Sequence, residues 1–213
     1  MPRTTDDARR WMGEGTKMFM HAVTALADSE LDDPSDLPDW SRRTLIAHVA
    51  ANADAIGNLV RWAATGVETP MYESPEARVA GIDRASRLPS KELRALVERS
   101  ASRLHEAMDA LDEAQWDSSV VTAQGRTVQA TETPWMRARE VMVHSVDLAS
   151  GVGFRDLPSD FLTALRADIL GKRGDVPEVV GGLADITAWL AGRPYADVTT
   201  PDGQPAPTLD PWL

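Results

Sequence analysis

WMRAREVMVHSVDL, residues 135–148, is the stretch on which the reading of this chain turns. Trp135, Ala138, Met142, Val146 and Ala149 make one apolar face of a helix, and Val141, Leu148, Met136 and Val143 extend it nearly all the way round. Glu140 and His144 interrupt that pattern. At 100° per residue they stand about 40° apart on one stripe, with Arg137 and Asp147 close to it. A carboxylate buried without a partner costs several kcal/mol. A divalent metal removes that cost, and a Glu with a His suits Zn2+. From this helix alone two other solutions stay open: Glu140 and His144 as an intrahelical pair, or Arg137 satisfying Glu140.

A second helix adds to the stripe. In TLIAHVAANADAIGNLV (44–60), His48 lies within about 60° of Leu45, Asn52, Ala55 and Leu59, at the edge of the apolar face. Ala47, Ala51 and Ala55 leave room beside it. Alone, such a His reads as a hydrogen-bonded core residue. With Glu140 and His144 from a facing helix it makes three candidate ligands, and catalytic zinc typically has three protein ligands and one open position. His105 falls beside a polar helix face, and His21 has no acidic ligand at useful spacing. The chain contains no GxGxxG, P-loop or GxSxG pattern.

The rest of the chain frames these helices. A first helix spans 5–28; a second is capped by Ser41 and stopped by Gly66; a third is capped by Ser90; a fourth begins at Thr133-Pro134 and ends near Gly151 or Gly153. Residues 31–40 read as a loop, and the long connection 67–89 as a functional segment or one holding short helices. The TAQGRT turn within 117–133 allows a hairpin-like excursion. Together these predict a mainly α four-helix bundle over 1–153, with at least one long crossover. A small C-terminal α(/β) domain over 154–213 would hold helices near 158–171 and 178–191, a short strand at ADVTT, and a Pro-rich irregular end.

Lys and Arg total 22 against 33 Asp and Glu, a formal net charge of −11. Such a surface repels nucleic acid and anionic membranes on average. There is no Cys, which excludes a disulfide framework, a thiolate metal site and a protein thiol nucleophile. MPRTTDDARRWMGEG has no apolar h-region, and no run approaches the roughly 20 apolar residues of a membrane span, so a cytoplasmic protein is expected.

LIAHVAANADAIGNLVRWAATGVETPMYESPEAR (45–78) and TAQGRTVQATETPWMRAREVMVHSVDLA (122–149) resemble the mycothiol-dependent maleylpyruvate isomerase family. The enclosing fold resembles the DinB-like bundle of thiol-dependent metalloenzymes. The likeness resumes at AGRPYADV (191–198) and covers whole phrases such as ETPMY, SPEAR and AQGR. It implies zinc ligands at His48, Glu140 and His144, a functional Arg at Arg193, and a substrate-lining Arg at Arg78. GKRGDVPEVVGG (171–182) is shorter than the segment the family leads one to expect there, leaving the C-terminal domain shortened.

The function so implied is a zinc- and mycothiol-dependent cis–trans isomerase of the gentisate pathway, converting maleylpyruvate to fumarylpyruvate. A thiolate adds to the cis double bond, the resulting single bond rotates, and the thiolate leaves. With no Cys in the chain the thiol must come from outside; mycothiol would supply it and zinc would lower its pKa below about 8.5. Arg193, with Arg78 or Arg126, would hold carboxylates and stabilise the enolate. For Arg193 the plain alternative is a surface Arg after a helix, and for Arg126 a turn residue paired with an acid. Asp147 is a candidate acceptor for a ligand imidazole or an exposed salt-bridge partner. The partners are a small dicarboxylate and a low-molecular-weight thiol, in a monomer or homodimer. Two other functions compete: a mycothiol S-transferase acting on another electrophile, and a non-enzymatic metal-binding bundle.

Overall fold

A computed structural model describes residues 3–212. Met1, Pro2 and Leu213, the extremities of the N-terminal segment and of the Pro-rich end read above, lie outside the described residues. The chain forms two compact units, Thr4–Gly151 and one that starts at Val152.

In the first unit, α1 (Thr5–Ala25) starts on a capping box in which Thr4 and Asp7 satisfy each other's backbone N–H. It stops before residue 28 because Asp28–Asp32 turns into a 3-10 helix. Helix α2 (Arg42–Thr65) begins at Ser41, whose side chain accepts from the Thr44 N–H, and ends at Gly66 with φ 69°. The long connection then forms α3 (Pro75–Ser86), capped by Ser74. Helix α4 (Ser90–Asp109) has Pro89, not Ser90, in the cap position, and no side chain caps it. The Ser90 hydroxyl instead accepts from Arg43. After the single turn α5 (Glu113–Trp116), β1 (Ser119–Val121) and β2 (Thr127–Gln129) make an antiparallel hairpin with Val120 opposite Val128. Helix α6 (Thr133–Asp147) has Pro134 in its first turn and ends before Gly151. Ala149 turns left-handed at φ 52°, and the Arg42 guanidinium donates to the Leu148 and Ala149 carbonyls.

The four long helices α1, α2, α4 and α6 are the bundle. Helix α1 packs chiefly on α6, and α2 on α4 and α6. Trp11 and Trp135 meet edge to face, their centroids 5.7 Å apart, where α1 crosses α6. One turn along α1, Gly15 allows the closest approach: a Cβ there would stand 2.6 Å from Val141 Cγ2 and 2.9 Å from Met142 Cγ. Helices α2 and α6 run antiparallel, and polar ties fix their register. Arg42 reaches the end of α6, while Arg137, nearer its start, donates to the Val49 carbonyl (2.7 Å) and to Asn52 Oδ1 (2.8 Å). His48 lies between those ties on α2, as Glu140 and His144 do on α6.

The second unit holds α7 (Ser159–Arg173), β3 (Val180–Gly181), α8 (Leu183–Leu190) and β4 (Val198–Thr199), with β3 and β4 antiparallel. The helix expected from 178 starts only at Leu183. Gly181 lies so close to β4 that a Cβ would stand 2.5 Å from the Asp197 carbonyl oxygen, so Val180 and Gly181 pair as strand. Phe161, Leu165, Ile169 and Trp189 are buried, and the Trp189 indole donates to the Pro207 carbonyl.

The α1–α6 approach gives a test. Gly→Ala within a helix gains about 1 kcal/mol of propensity, whereas overpacking costs about 1–3 kcal/mol. Gly15→Ala is expected to destabilise the protein in denaturant titration. Gly13→Ala and Gly57→Ala, where a Cβ meets nothing within 4 Å, are expected to be neutral or stabilising. A stabilising Gly15→Ala would contradict the packing described.

Candidate metal centre

The register of α2 and α6 brings three donors together. His48 Nε2 lies 3.0 Å from Glu140 Oε2, and His144 Nε2 lies 3.3 Å from the same oxygen. All three donor atoms fall within 4.8 Å of one another, and this is the one such group found among the described residues. Two donors each about 2.1 Å from one ion in a tetrahedron stand roughly 3.4 Å apart, so the spacing fits a shared divalent cation. His48 and His144 are buried, and the Glu140 side chain is 18% exposed. An N, N, O set of this kind can hold a metal and leave a position open.

The electrostatics show how the cluster is balanced without a cation. Burial works against the Glu140 carboxylate, but hydrogen bonds from His144 and His48 outweigh it and hold its pKa well below the usual range. Burial also opposes charge on His144; the Asp147 hydrogen bond and Glu140 overcome it and lift the imidazole to about 9. For His48 burial wins, and its pKa falls. His144 Nδ1 is 2.9 Å from Asp147 Oδ2. Asp147 is fully buried, which removes the exposed salt-bridge reading and leaves it as the acceptor that orients His144.

Arg78 extends this group. Its guanidinium nitrogen stands 3.4 Å from His48 Nδ1, and its cation lies 5.8 Å from the Tyr72 ring centroid. A guanidinium only donates, so His48 Nδ1 accepts and Nε2 carries the hydrogen toward Glu140. Holding a metal through Nε2 would require the other tautomer, with the hydrogen on Nδ1 and the Arg78 hydrogen bond to that nitrogen given up. Arg137 does not pair with Glu140 by a hydrogen bond: its guanidinium is committed to α2, and burial lowers its pKa to about 10. It remains a cation three residues before Glu140 on α6.

The remaining candidates fall elsewhere. Arg126 is exposed in the hairpin turn, and no described hydrogen bond or ion pair joins its side chain to the triad. Arg193 is in the second unit, buried, with its guanidinium donating to the Ala191 carbonyl, so it is not the surface residue its position after a helix suggests. His21 is exposed, and His105 is exposed with Asp109 3.4 Å away. Two neighbours of the site escaped the sequence reading. Trp40 meets the His48 ring edge to face at 5.3 Å, and Tyr72 lies beside Arg78. Both stand in loops, where helical periodicity gives no signal; Tyr72 does lie in the ETPMY phrase.

No curated protein sequence matches the chain. The crystal structure of a mycothiol-dependent maleylpyruvate isomerase superposes with a TM-score of 0.91 at 38% identity, covering 99% of this chain and 98% of that one. A histidine-to-alanine mutant of a mycothiol-dependent maleylpyruvate isomerase does so with the same score and coverage at 37% identity. YfiT from Bacillus subtilis, a probable metal-dependent hydrolase with an unusual four-helix bundle topology, is similar in fold alone (TM-score 0.53, 18% identity, 70% of this chain and 88% of that one). The family model of the mycothiol maleylpyruvate isomerase N-terminal domain matches residues 12–149, the stretch that holds all three clustered donors, and the chain therefore belongs to that family.

Proposed function

We propose that the protein is a zinc- and mycothiol-dependent isomerase that converts maleylpyruvate to fumarylpyruvate, with His48, Glu140 and His144 as the protein ligands of the metal. The observation that carries this reading is a three-donor N, N, O cluster, with no fourth donor in its group among the described residues, in a family member with no Cys. A set of three suits a catalytic position open to an outside ligand better than a closed structural site. Bound there, zinc would supply a Lewis-acidic position that lowers a thiol's pKa below the free value of about 8.5.

The chain's own residues do the rest. Glu140, kept ionised by two imidazoles, contributes the anionic ligand. Asp147 holds His144 by Nδ1, fixing ring orientation and presenting Nε2 to the cluster. The thiolate of mycothiol adds to the cis double bond of maleylpyruvate; its electron pair passes to the conjugated carbonyl as an enolate. Rotation about the new single bond and loss of the thiolate give the trans product, with no net oxidation. Arg78, beside His48, is the cation we assign to the enolate or a substrate carboxylate. Arg193 and Arg126 stand as further carboxylate-binding candidates on the resemblance of their segments.

Metal analysis of the purified protein is expected to find one zinc per chain, lost in His48→Ala, Glu140→Ala and His144→Ala. Asp147→Asn is expected to weaken metal binding about 10–100-fold. Maleylpyruvate's enone absorbance is expected to change only when both metal and mycothiol are present. Conjugate formation on another electrophile without isomerisation would indicate a transferase instead, and full activity in His144→Ala would exclude both.

The metal must also compete with a proton. His144, lifted to about 9 from 6.5, is charged in the metal-free protein at neutral pH. Its stabilising contribution to the metal-free fold is complete below about pH 6.5 and is lost as pH rises through about 9. Metal binding expels that proton, so apparent zinc affinity is expected to rise about tenfold per pH unit between pH 7 and 8 and to level off as pH passes about 9. Chelator-competition titrations check the slope; an affinity independent of pH over that range would contradict it.

A further inference from the structure

A cleft of about 350 Å3 opens between α1 and α4. Met12 of α1 and Leu104 of α4 give it buried apolar walls, and the small Gly13 and Ala101 keep it open. Lys17 and Glu98, of opposite charge, stand exposed at its rim. Among the described residues one side chain of α6 reaches it: Arg137, which is only 1% exposed. No member of the His48–Glu140–His144 cluster lines it. The cleft is thus apolar along its sides and cationic in its depth. Its volume falls at the lower end of the range for small-molecule sites.

Arg137 brings an unused recognition edge to this cleft. Both of its ties to α2, to the Val49 carbonyl and to Asn52 Oδ1, leave from Nη1. Its Nε is buried and has no hydrogen-bond partner. Glu140 and Asp54 act on the guanidinium through space, without a hydrogen bond to it. A buried donor left unmade on a charged group is costly, and the Nη1 ties already hold this one in position. The Nε–Nη2 edge of a guanidinium matches a carboxylate through two parallel N–H···O bonds.

We propose that the α1–α4 cleft binds a small monocarboxylate with an apolar body, its carboxylate on the Nε–Nη2 edge of Arg137. One deep cation matches one carboxylate, and Lys17 and Glu98 at the rim offset each other and leave no second charge to match. The apolar body lies between Met12 and Leu104, where the flexible Met adapts to a short chain or a single ring. An amine would meet Arg137 as a like charge, and a neutral amide would accept weaker hydrogen bonds from it. The same guanidinium holds the carbonyl of Val49, the residue after His48 on α2, so an occupant bears on the tie beside the metal cluster.

Calorimetric titration of the full chain as purified tests this, with hexanoate as the probe and hexanamide as its uncharged counterpart. Hexanoate is expected to bind saturably, and hexanamide at least about tenfold more weakly. Gly13→Leu fills the cleft from α1, at a helical position where a Cβ meets nothing within 4 Å, and Ala101→Leu narrows it from α4. Each is expected to weaken hexanoate at least about tenfold, with Arg137 and its ties to α2 left in place. Using two variants on facing helices keeps the test intact if one of them folds poorly. No binding of hexanoate, or equal affinity for hexanoate and hexanamide, overturns the site. So does hexanoate binding unchanged in both variants, which would put the carboxylate at the metal cluster or at Arg78. None of these readouts involves mycothiol or maleylpyruvate, so failure here leaves the proposed function standing.

Discussion

Placing the Glu140 carboxylate inside the helical bundle is the constraint from which the site follows. An ion in that position has to be matched, and the sequence supplies His48 and His144 on either side of one carboxylate oxygen. Asp147 then needs His144, and Arg137 needs a second helix to take its hydrogen bonds. Together they make a connected polar core that a divalent cation can enter by displacing protons.

That core depends on how α2 and α6 are set against each other. Arg42 holds the start of α2 to the end of α6, and Arg137 holds the two further in. A slip of one residue at about 1.5 Å rise and 100° would turn His48 away from Glu140. The close approach of α1 at Gly15 packs α6 from another side, where Val141 and Met142 follow Glu140 in sequence. Packing and chemistry thus share one helix: its apolar residues meet α1 while its ionisable stripe meets α2.

The bundle was legible because each long helix carries its own signals. Ser41 and Gly66 bound α2, Thr133-Pro134 opens α6, and the apolar period runs between them. The triad was legible because i,i+4 spacing survives folding unchanged, whereas His48 needed a facing helix before it meant anything. Ser90 misled because Pro89, by fixing an extended backbone, takes the cap position itself. The break at Val180–Gly181 was hidden because it depends on a distant backbone: only the carbonyl of Asp197 demands glycine there. Trp40 and Tyr72 depend on tertiary placement of loops, which no local period records.

The central claim is that three protein donors hold a metal and leave one position to an external thiol. X-ray absorption at the zinc edge, on the loaded protein before and after mycothiol is added, tests it most directly. The account predicts only nitrogen and oxygen neighbours at first, then one sulfur at about 2.3 Å once mycothiol binds. A first shell that is already closed by four protein donors, or one that gains no sulfur, would contradict it.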